Sequence, residues 1–208
     1  MLLDAQYEFK IQRQESAICQ QVSLDIPSVS NFQLYVQQFA FAQKRIGYLY
    51  GKFVPAVSEA DNESKNNGTG NGTTATTTKM KCVVEAIYEP AQDVDVNTVD
   101  GFILHDDNEE EESTVAQIAS LLGLQRVGWI FGHEYRTDYT LSSAEIIMAA
   151  EFQLEAADGI NETPFVTVTV APSSATNNSQ VSVEAFQVSQ QCMAMVAEEA
   201  LEIGRAHV

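Results

Sequence analysis

The stretch that most restricts the fold is a short apolar run followed by a polar loop and a helical pattern. In the run QRVGWIF, which begins at Gln125, apolar side chains occupy consecutive positions, as is typical of a strand covered on both faces. The helical pattern begins near Ser142, where a Ser-x-x-acid motif ending at Glu145 is typical of a helix N-terminus. A strand covered on both faces requires a layer on each side, so the sequence predicts an α/β or α+β domain.

Other periodic segments extend this prediction to the order α-β-β-α-β-α-β-β-α in a single domain. Segment 45–54 is rich in aromatic and β-branched residues, and segment 80–90 is predicted to be its partner strand. After a helix at 143–156, the alternating segments PFVTVTVA and VSVEAFQVS predict two further strands. The first helix is predicted to follow Pro27, because apolar residues recur at helical spacing: Phe32, Tyr35, Val36, Phe39 and Ala40.

Local signals also predict helix ends and boundaries. Ser113 is expected to cap a helix that runs through Leu122 and stops at Gly123. The last helix is expected over the segment QQCMAMVAEEALEI, with three apolar residues turned inward: Met193, Val196 and Leu201. Residues 1–25 alternate weakly and predict either an edge strand or an extended lead-in. The expected boundaries are a lead-in over 1–26, an α/β domain over 27–203 and a tail over 204–208.

Two polar segments interrupt the periodic pattern. Residues 58–78 consist mostly of Ser, Asn, Gly and Thr, so the sequence predicts a long disordered loop inserted into the hairpin of strands 45–54 and 80–90. The acidic run from Asp106 to Glu112 is predicted to be a solvated loop.

Composition restricts the classes of partner. The chain has 208 residues and a net charge of -18, which repels nucleic acid and anionic lipid and favours basic protein surfaces. Solubility alone explains the acidity equally well. The start of the chain is too polar for a signal peptide, and no apolar run reaches about 18 residues. Three cysteines without a CxxC pair predict neither a disulfide framework nor a zinc knuckle, so we expect a soluble protein of a reducing compartment.

Several short motifs fail as catalytic or metal-binding signatures. His133 and Glu134 begin a zincin-like pattern, but Thr137 stands where the second histidine is required. Segment GYLYGKF is not a P-loop, because its spacing is short and Phe53 occupies the hydroxyl position. Ser142 has no nearby His-acid partner in the sequence, so helix capping explains it best.

The blocks RIGYLYGKF, KCVVEAIYEP and RVGWIF resemble the core strands of the MPN domain. A closer resemblance is to the nuclear protein localization protein 4 family. The blocks VVEAIYEPAQ, LGLQRVGWIF, DYTLSSAEIIMAAEFQ, PFVTVTVA and FQVSQQCMAMVAEEAL look like that family's MPN region, in the same order. The resemblance covers roughly residues 28–203 and implies an MPN fold, with a mixed β-sheet flanked by helices.

The resemblance also implies a function. Members of this family act with the ubiquitin fusion degradation 1 protein on the AAA ATPase called valosin-containing protein. They engage ubiquitin and ubiquitinated clients, including clients drawn from the endoplasmic reticulum, for unfolding and proteasomal degradation. The implied location is the cytoplasm and nucleus, with peripheral contact at the endoplasmic reticulum and no membrane insertion. A groove over the MPN domain is implied to receive an unfolded ubiquitin segment, and no cofactor is implied.

Active MPN domains resemble one another in a glutamate on the first strand and a His-x-His, seven residues, Ser-x-x-Asp motif, which together bind zinc and activate water. By this resemblance, Lys44 falls on the glutamate position, Phe131 on the first histidine and His133 on the second. The loop to Ser142 is one residue longer, and Glu145 replaces the aspartate.

These departures predict an inactive, pseudo-metalloprotease domain that holds no metal. One imidazole and one displaced carboxylate are too few ligands to compete for zinc. We expect Phe131 to pack in the core, His133 to lie in a loop, and Ser142 and Glu145 to form the cap and first turn of a helix. The alternatives are an active zinc metallo-deubiquitinase and a purely architectural module whose acidic face meets a basic partner.

Overall fold

Eight strands and four helices are defined in the computed structural model, which describes residues 11–56, 79–93, 102–105, 108–176 and 180–201. The strands are β1 (Cys19–Leu24), β2 (Arg45–Pro55), β3 (Met80–Tyr88), β4 (Gln92–Asp93), β5 (Ile103–Leu104), β6 (Gln125–Gly132), β7 (Val166–Pro172) and β8 (Val181–Phe186). The helices are α1 (Ile26–Gln38), α2 (Asn108–Leu121), α3 (Ser143–Ala157) and α4 (Gln190–Ala197). Six strands form one mixed sheet in the order β1-β3-β2-β6-β7-β8, while β4 and β5 pair separately.

The antiparallel pair β2–β3 forms the hairpin that the sequence predicts for segments 45–54 and 80–90. Its open end is held by a hydrogen bond of 2.9 Å from the Ala56 N–H to the Lys79 carbonyl. A register shift at Gly51 brings the two backbones so close that a Cβ there would lie 2.0 Å from the Val83 carbonyl oxygen. Glycine is therefore required at this bulge. The inserted loop predicted over 58–78 lies outside the described residues.

Strands β6 and β7 form the interior of the sheet and run parallel. Helix α3 connects them, as parallel neighbours require a crossover. Every residue of β7 is buried, as are the last six of β6, which confirms the prediction of a strand covered on both faces. The backbones approach closely at Gly128, where a Cβ would lie 2.4 Å from the Val166 carbonyl oxygen.

Helices cover both faces of the sheet. On one face, Phe32 and Val36 of α1 pack into a core with residues such as Leu49 and Ile130. On the other face, α2 and α3 contribute to a core centred on Trp129, whose side chain is fully buried, as predicted. The Trp129 Nε1–H donates a hydrogen bond of 2.8 Å to the Thr167 hydroxyl on β7, so the indole has both an apolar site and a polar partner.

Three glutamine side chains hydrogen-bond to main-chain N–H and carbonyl groups, as the backbone of a neighbouring strand would. Gln92 accepts from the Ile46 N–H at 2.8 Å and donates to the Ile46 carbonyl at 2.9 Å. Gln153 on α3 pairs in the same way with the backbone of Val188, at 2.7 Å and 3.2 Å. Gln187 accepts from the Cys19 N–H at 2.9 Å and donates to the carbonyl oxygens before β7. The last of these ties β1 at one edge of the sheet to the end of β8 at the other.

The ends of several helices differ from the sequence-based expectation. Helix α1 ends at Gln38, so Phe39 and Ala40 do not continue its apolar stripe. Ala40 and Phe41 adopt left-handed backbone conformations instead, and this turn buries Phe41 in the core. Helix α4 ends at Ala197 rather than near residue 203, because Glu199 is left-handed and Ala200 N–H bonds back to Met195 at 2.8 Å.

Helix α2 starts earlier than predicted, and β1 decides between two predicted alternatives. Helix α2 begins at Asn108, before the predicted cap Ser113, so the part of the acidic run from Asn108 to Glu112 is helical rather than a loop. Three glutamates in its first turn favour this early start, because anions stabilise the positive end of the helix dipole. Gly123 has a left-handed φ of 69° and terminates the helix, as predicted. Strand β1 pairs in parallel with β3 at the edge of the sheet, which confirms the edge strand that was one of the two alternatives for residues 1–25. The sheet therefore begins before the expected boundary at residue 27.

Candidate functional site

The five residues that the sequence aligns with a metal site come together around the loop from β6 to α3. Lys44 precedes β2, and its Nζ lies 3.6 Å from the Glu145 Oε1 in the first turn of α3. Phe131 and His133 flank the end of β6, with ring centroids 5.8 Å apart. Ser142 is the N-cap of α3. Lys44 and Glu145, which are about a hundred residues apart in the chain, are therefore brought together.

Ser142 and Glu145 form a reciprocal capping box. The Ser142 hydroxyl accepts from the Glu145 N–H at 3.3 Å, and the Glu145 carboxylate accepts from the Ser142 N–H at 2.8 Å. Two backbone donors at the start of α3 are thus satisfied. This confirms the interpretation of Ser142 and Glu145 as the cap and first turn of a helix.

Glu145 has a second role that the sequence did not reveal. Its side chain is completely buried, and both carboxylate oxygens accept hydrogen bonds from the Arg136 guanidinium, at 2.6 Å and 2.7 Å. Lys44 adds a second positive charge on the same carboxylate. Burial alone would raise the pKa of Glu145, but the bonds from Arg136 and Ser142 and the charges of Arg136 and Lys44 lower it overall. Glu145 is therefore ionised at neutral pH.

Arg136 organises the loop around this carboxylate. Its side chain is only 7% exposed, and the guanidinium lies 5.0 Å from the centroid of the Tyr139 ring. Burial acts to lower the pKa of Arg136, yet the hydrogen bonds and charge of Glu145 outweigh it and raise the pKa. The sequence offers one weak signal for Arg136, a lone cation in a polar loop of a very acidic chain. The pairing itself depends on the path of the loop, which no spacing rule predicts.

His133 lies in the loop, as predicted, but it is only 5% exposed. Its Nδ1 is 2.7 Å from the Glu134 carbonyl oxygen, which can only accept, so Nδ1 carries the proton. Burial lowers the pKa of His133, and the positive charges of Arg136 and Lys44 act in the same direction against the Glu134 bond and the Glu145 charge. The ring is neutral at physiological pH.

Phe131 is a core residue, as predicted. It is fully buried, stacks on Trp129 with ring centroids 4.8 Å apart, and meets Phe102 edge-on at 5.5 Å. Its ring supplies packing and no donor atom.

A polar cleft of about 380 Å³ opens between this loop and the strands β7 and β8. Its walls combine loop residues with residues of the two strands, including His133, Arg136, Tyr139, Thr169, Ser182 and Glu184. Strand β8 is the last strand of the described sheet, so one side of its backbone has no strand beside it there. The cleft thus lies next to an open sheet edge.

The donor set does not fit a zinc ion. Glu145 is engaged by two cations and a backbone N–H, Phe131 has no donor atom, and Lys44 repels a cation. Within the described ranges, no group of three His, Cys, Asp or Glu side chains is placed to hold a metal ion. Across those same residues, no helix has both the length and the apolar character needed to cross a membrane.

Comparison with known proteins identifies relatives over most of the chain. The family model described as the NPL4 family matches residues 68–206, about two thirds of the chain. NPL4-like protein 2 of Arabidopsis thaliana is 33% identical over 199 residues, which cover 94% of this chain and 41% of the relative. The Nuclear protein localization protein 4 homolog of Dictyostelium discoideum is 34% identical over 170 residues, which cover 82% of this chain and 23% of the relative.

A human relative gives the same result. The Nuclear protein localization protein 4 homolog of Homo sapiens is 33% identical over 179 residues, or 76% of this chain and 25% of that protein. The chain thus spans about two fifths of the plant relative and about a quarter of the other two. The family model and these relatives agree, and the chain belongs to the NPL4 family.

Proposed function

We propose that this chain is a non-catalytic MPN domain that engages ubiquitinated clients for a AAA ATPase. The cleft beside the open edge of β8 is the main support for the proposal, because it offers a site for an extended polypeptide. The nearby Glu145 carboxylate is paired with Arg136 and Lys44 rather than with a metal ion. The proposed partners are ubiquitin, the ubiquitin fusion degradation 1 protein and the valosin-containing ATPase. The proposed setting is client extraction and proteasomal degradation in the cytoplasm and nucleus, and at the endoplasmic reticulum surface.

Convergence of the five aligned positions supports the MPN assignment. Lys44 precedes β2, yet its Nζ lies 3.6 Å from the Glu145 Oε1 on α3, and Ser142 caps the same helix. Phe131 at the end of β6 and His133 in the following loop have ring centroids 5.8 Å apart.

The ion pairs of Glu145 support the absence of catalysis. A zinc hydrolase needs a carboxylate with free lone pairs and a general base near a metal-bound water. Here Arg136 spans both oxygens of Glu145, and Lys44 adds a charge that repels a divalent ion. The site is filled by a guanidinium, which can hold the loop in shape but supplies neither a Lewis acid nor a base.

The backbone of β8 supports binding of an extended segment. The Ser173 N–H donates a hydrogen bond to the Gln180 carbonyl, so Gln180 faces β7. Every second residue after it, Ser182 and Glu184, then also directs its backbone N–H and C=O toward β7. In an antiparallel pair the intervening residues, Val181, Val183 and Ala185, then point their N–H and C=O groups outward. A client segment can add to this edge by backbone hydrogen bonds, with little dependence on its sequence. Such tolerance suits a protein that must accept many clients.

Substitution at Val183 tests the edge directly. Val183→Pro removes one outward N–H while leaving the ladder to β7 intact, and Val183→Thr is the matched control that keeps the N–H. Binding of fluorescently labelled, destabilised ubiquitin should weaken at least about tenfold in the Pro variant and remain within about twofold in the Thr variant. Equal binding by both variants, with unchanged melting temperatures, would remove β8 from the proposal.

Metal analysis tests the non-catalytic half. The purified chain should contain no stoichiometric zinc and should leave ubiquitin chains intact at any zinc concentration. Lys44→Glu, Phe131→His and Glu145→Asp, combined with removal of one residue between His133 and Ser142, should still fail to bind zinc while Arg136 is present. His133→Ala should show no cleavage either, because no catalytic step depends on that imidazole. Near-equimolar zinc in the unmodified chain, or chelator-sensitive cleavage lost in His133→Ala, would favour the active deubiquitinase instead.

A further inference from the structure

Helix α2 carries an apolar stripe that faces solvent. Ile118, Leu121 and Leu122 are 53%, 88% and 66% exposed. Residues three and four positions apart lie on the same face of a helix, so these three side chains form one patch at the end of α2. Ala119 and Val115 of the same helix turn toward the sheet. Single exposed apolar residues are common on protein surfaces, but a contiguous stripe indicates an interaction site.

The stripe borders an apolar groove between α2 and the hairpin β2–β3. The groove has a volume of about 160 Å³, and its walls are almost entirely carbon. Its lining is shared between the sheet and the helical segment and includes Tyr50, Ala86, Tyr88, Val115, Ile118 and Leu122. The volume accommodates one or two aliphatic side chains of a partner.

Glu111 and Glu112 precede the groove residue Val115 by one turn of α2, which makes the end of the groove at Tyr88 acidic. Burial first, and then the charges of Glu111 and Glu112, raise the pKa of Tyr88 to about 12. Burial also raises the pKa of Glu112, and Glu155, Glu109 and Glu111 add to the effect against the attraction of Arg126. Arg126 offsets part of this negative charge, because its guanidinium stacks on Tyr48 at 3.7 Å and lies 4.0 Å from a Glu155 carboxylate oxygen.

We propose that this groove docks a basic amphipathic helix of a separate protein. Aliphatic residues of the partner would fill the groove beside Ile118 and Leu122, and its Lys or Arg residues would meet Glu111 and Glu112. Charge complementarity selects this occupant over a second copy, because two chains of net charge -18 repel each other. The surface belongs to α2 and β3 rather than to the cleft of β7 and β8, so it does not rest on the proposed client site.

A designed helix of known chemistry tests the docking. The probe is a fluorescein-labelled peptide of about 16 residues, long enough to form a helix, with Leu at helical spacing and Lys on the flanking positions. A second peptide replaces every Lys by Glu, and a third scrambles the Leu positions. Anisotropy titration of the full 208-residue chain should show saturable binding of the first peptide only. Its affinity should fall as salt is raised.

Two sets of variants locate the site. Ile118→Ser with Leu122→Ser should weaken the basic probe at least about tenfold, because two apolar contacts are lost. Glu111→Gln with Glu112→Gln should weaken it about threefold and flatten the salt dependence. The matched control, Leu34→Ser, changes a residue that is 57% exposed on α1 and should have no effect. Melting curves confirm that each variant is folded.

Four outcomes of the binding experiments would overturn the proposal. The first two are equal binding of the acidic and basic peptides, and unchanged binding of the basic peptide to the Ile118→Ser, Leu122→Ser variant. The other two are no binding of any peptide, and binding of the basic peptide only after residues 57–78 are deleted. The last would mean that the chain covers its own groove. Sedimentation velocity provides a further check, since a dimer that dissociates in Leu121→Ser would identify a second copy as the occupant.

Discussion

Arg136 and Glu145 form a two-point ion pair inside the loop that joins β6 to α3, with N–O distances of 2.6 Å and 2.7 Å. Both side chains are almost fully buried, so the charges depend on each other. Removing one partner of a buried pair leaves an uncompensated charge, which costs more than removing both. The pair is therefore a sensitive probe of whether the loop is ordered in solution.

A double-mutant cycle measures this dependence. Arg136→Met and Glu145→Gln should each lower the free energy of unfolding by about 3–5 kcal/mol, and the double variant should lose less than the sum of the two. Urea unfolding at neutral pH gives the three values. Additive losses would mean that the two side chains do not interact in solution.

Trp129 provides a test of the core. Trp129→Ala should lower the free energy of unfolding by about 3–5 kcal/mol, because it empties a fully buried site between Phe131 and Phe102. Trp129→Phe keeps the aromatic packing but leaves the Thr167 hydroxyl without its donor, and should cost about 1–2 kcal/mol. An alanine variant as stable as the parent would show that β6 is not central.

The open end of the β2–β3 hairpin should tolerate a large deletion. Removing residues 60–77 and closing the gap with a short turn should change the melting temperature by only about a few degrees, because closure entropy depends weakly on loop length. The hydrogen bond between Ala56 and Lys79 already brings the flanking strands together. Differential scanning calorimetry of the deleted chain checks this, and loss of a cooperative transition would place a structural element in the deleted segment.

His133 makes stability depend on pH. Its pKa in the folded chain lies below the ordinary value of 6.5, mainly because the ring is buried, so the unfolded chain binds more protons as the pH falls below that value. Its neutral form therefore contributes stability above about pH 6.5, and this is lost as the pH falls toward the folded pKa. The melting temperature should drop between about pH 7.5 and pH 5.5, and His133→Gln should reduce the drop.

The fold was predictable where local pattern and burial agree. Consecutive apolar residues in β6 and alternation in β7 and β8 reflect the layers that cover the sheet. Helix ends were less predictable, because Phe41 enters the core only through a left-handed turn that apolar spacing does not encode. At the site, Ser142 and Glu145 follow a local capping rule, whereas the pairing of Arg136 and Lys44 with Glu145 depends on tertiary geometry.

Gln92, Gln153 and Gln187 each serve one N–H and at least one carbonyl of the main chain. A side-chain amide can do both because it carries a donor and an acceptor, whereas a carboxylate of the same shape only accepts. Deamidation at any of these positions would place an ionised oxygen against a buried carbonyl. An added negative charge would then loosen the joints between β2 and β4, between α3 and the start of α4, and between the two edges of the sheet. These joints depend on the amide group, so they would weaken without any loss of apolar burial.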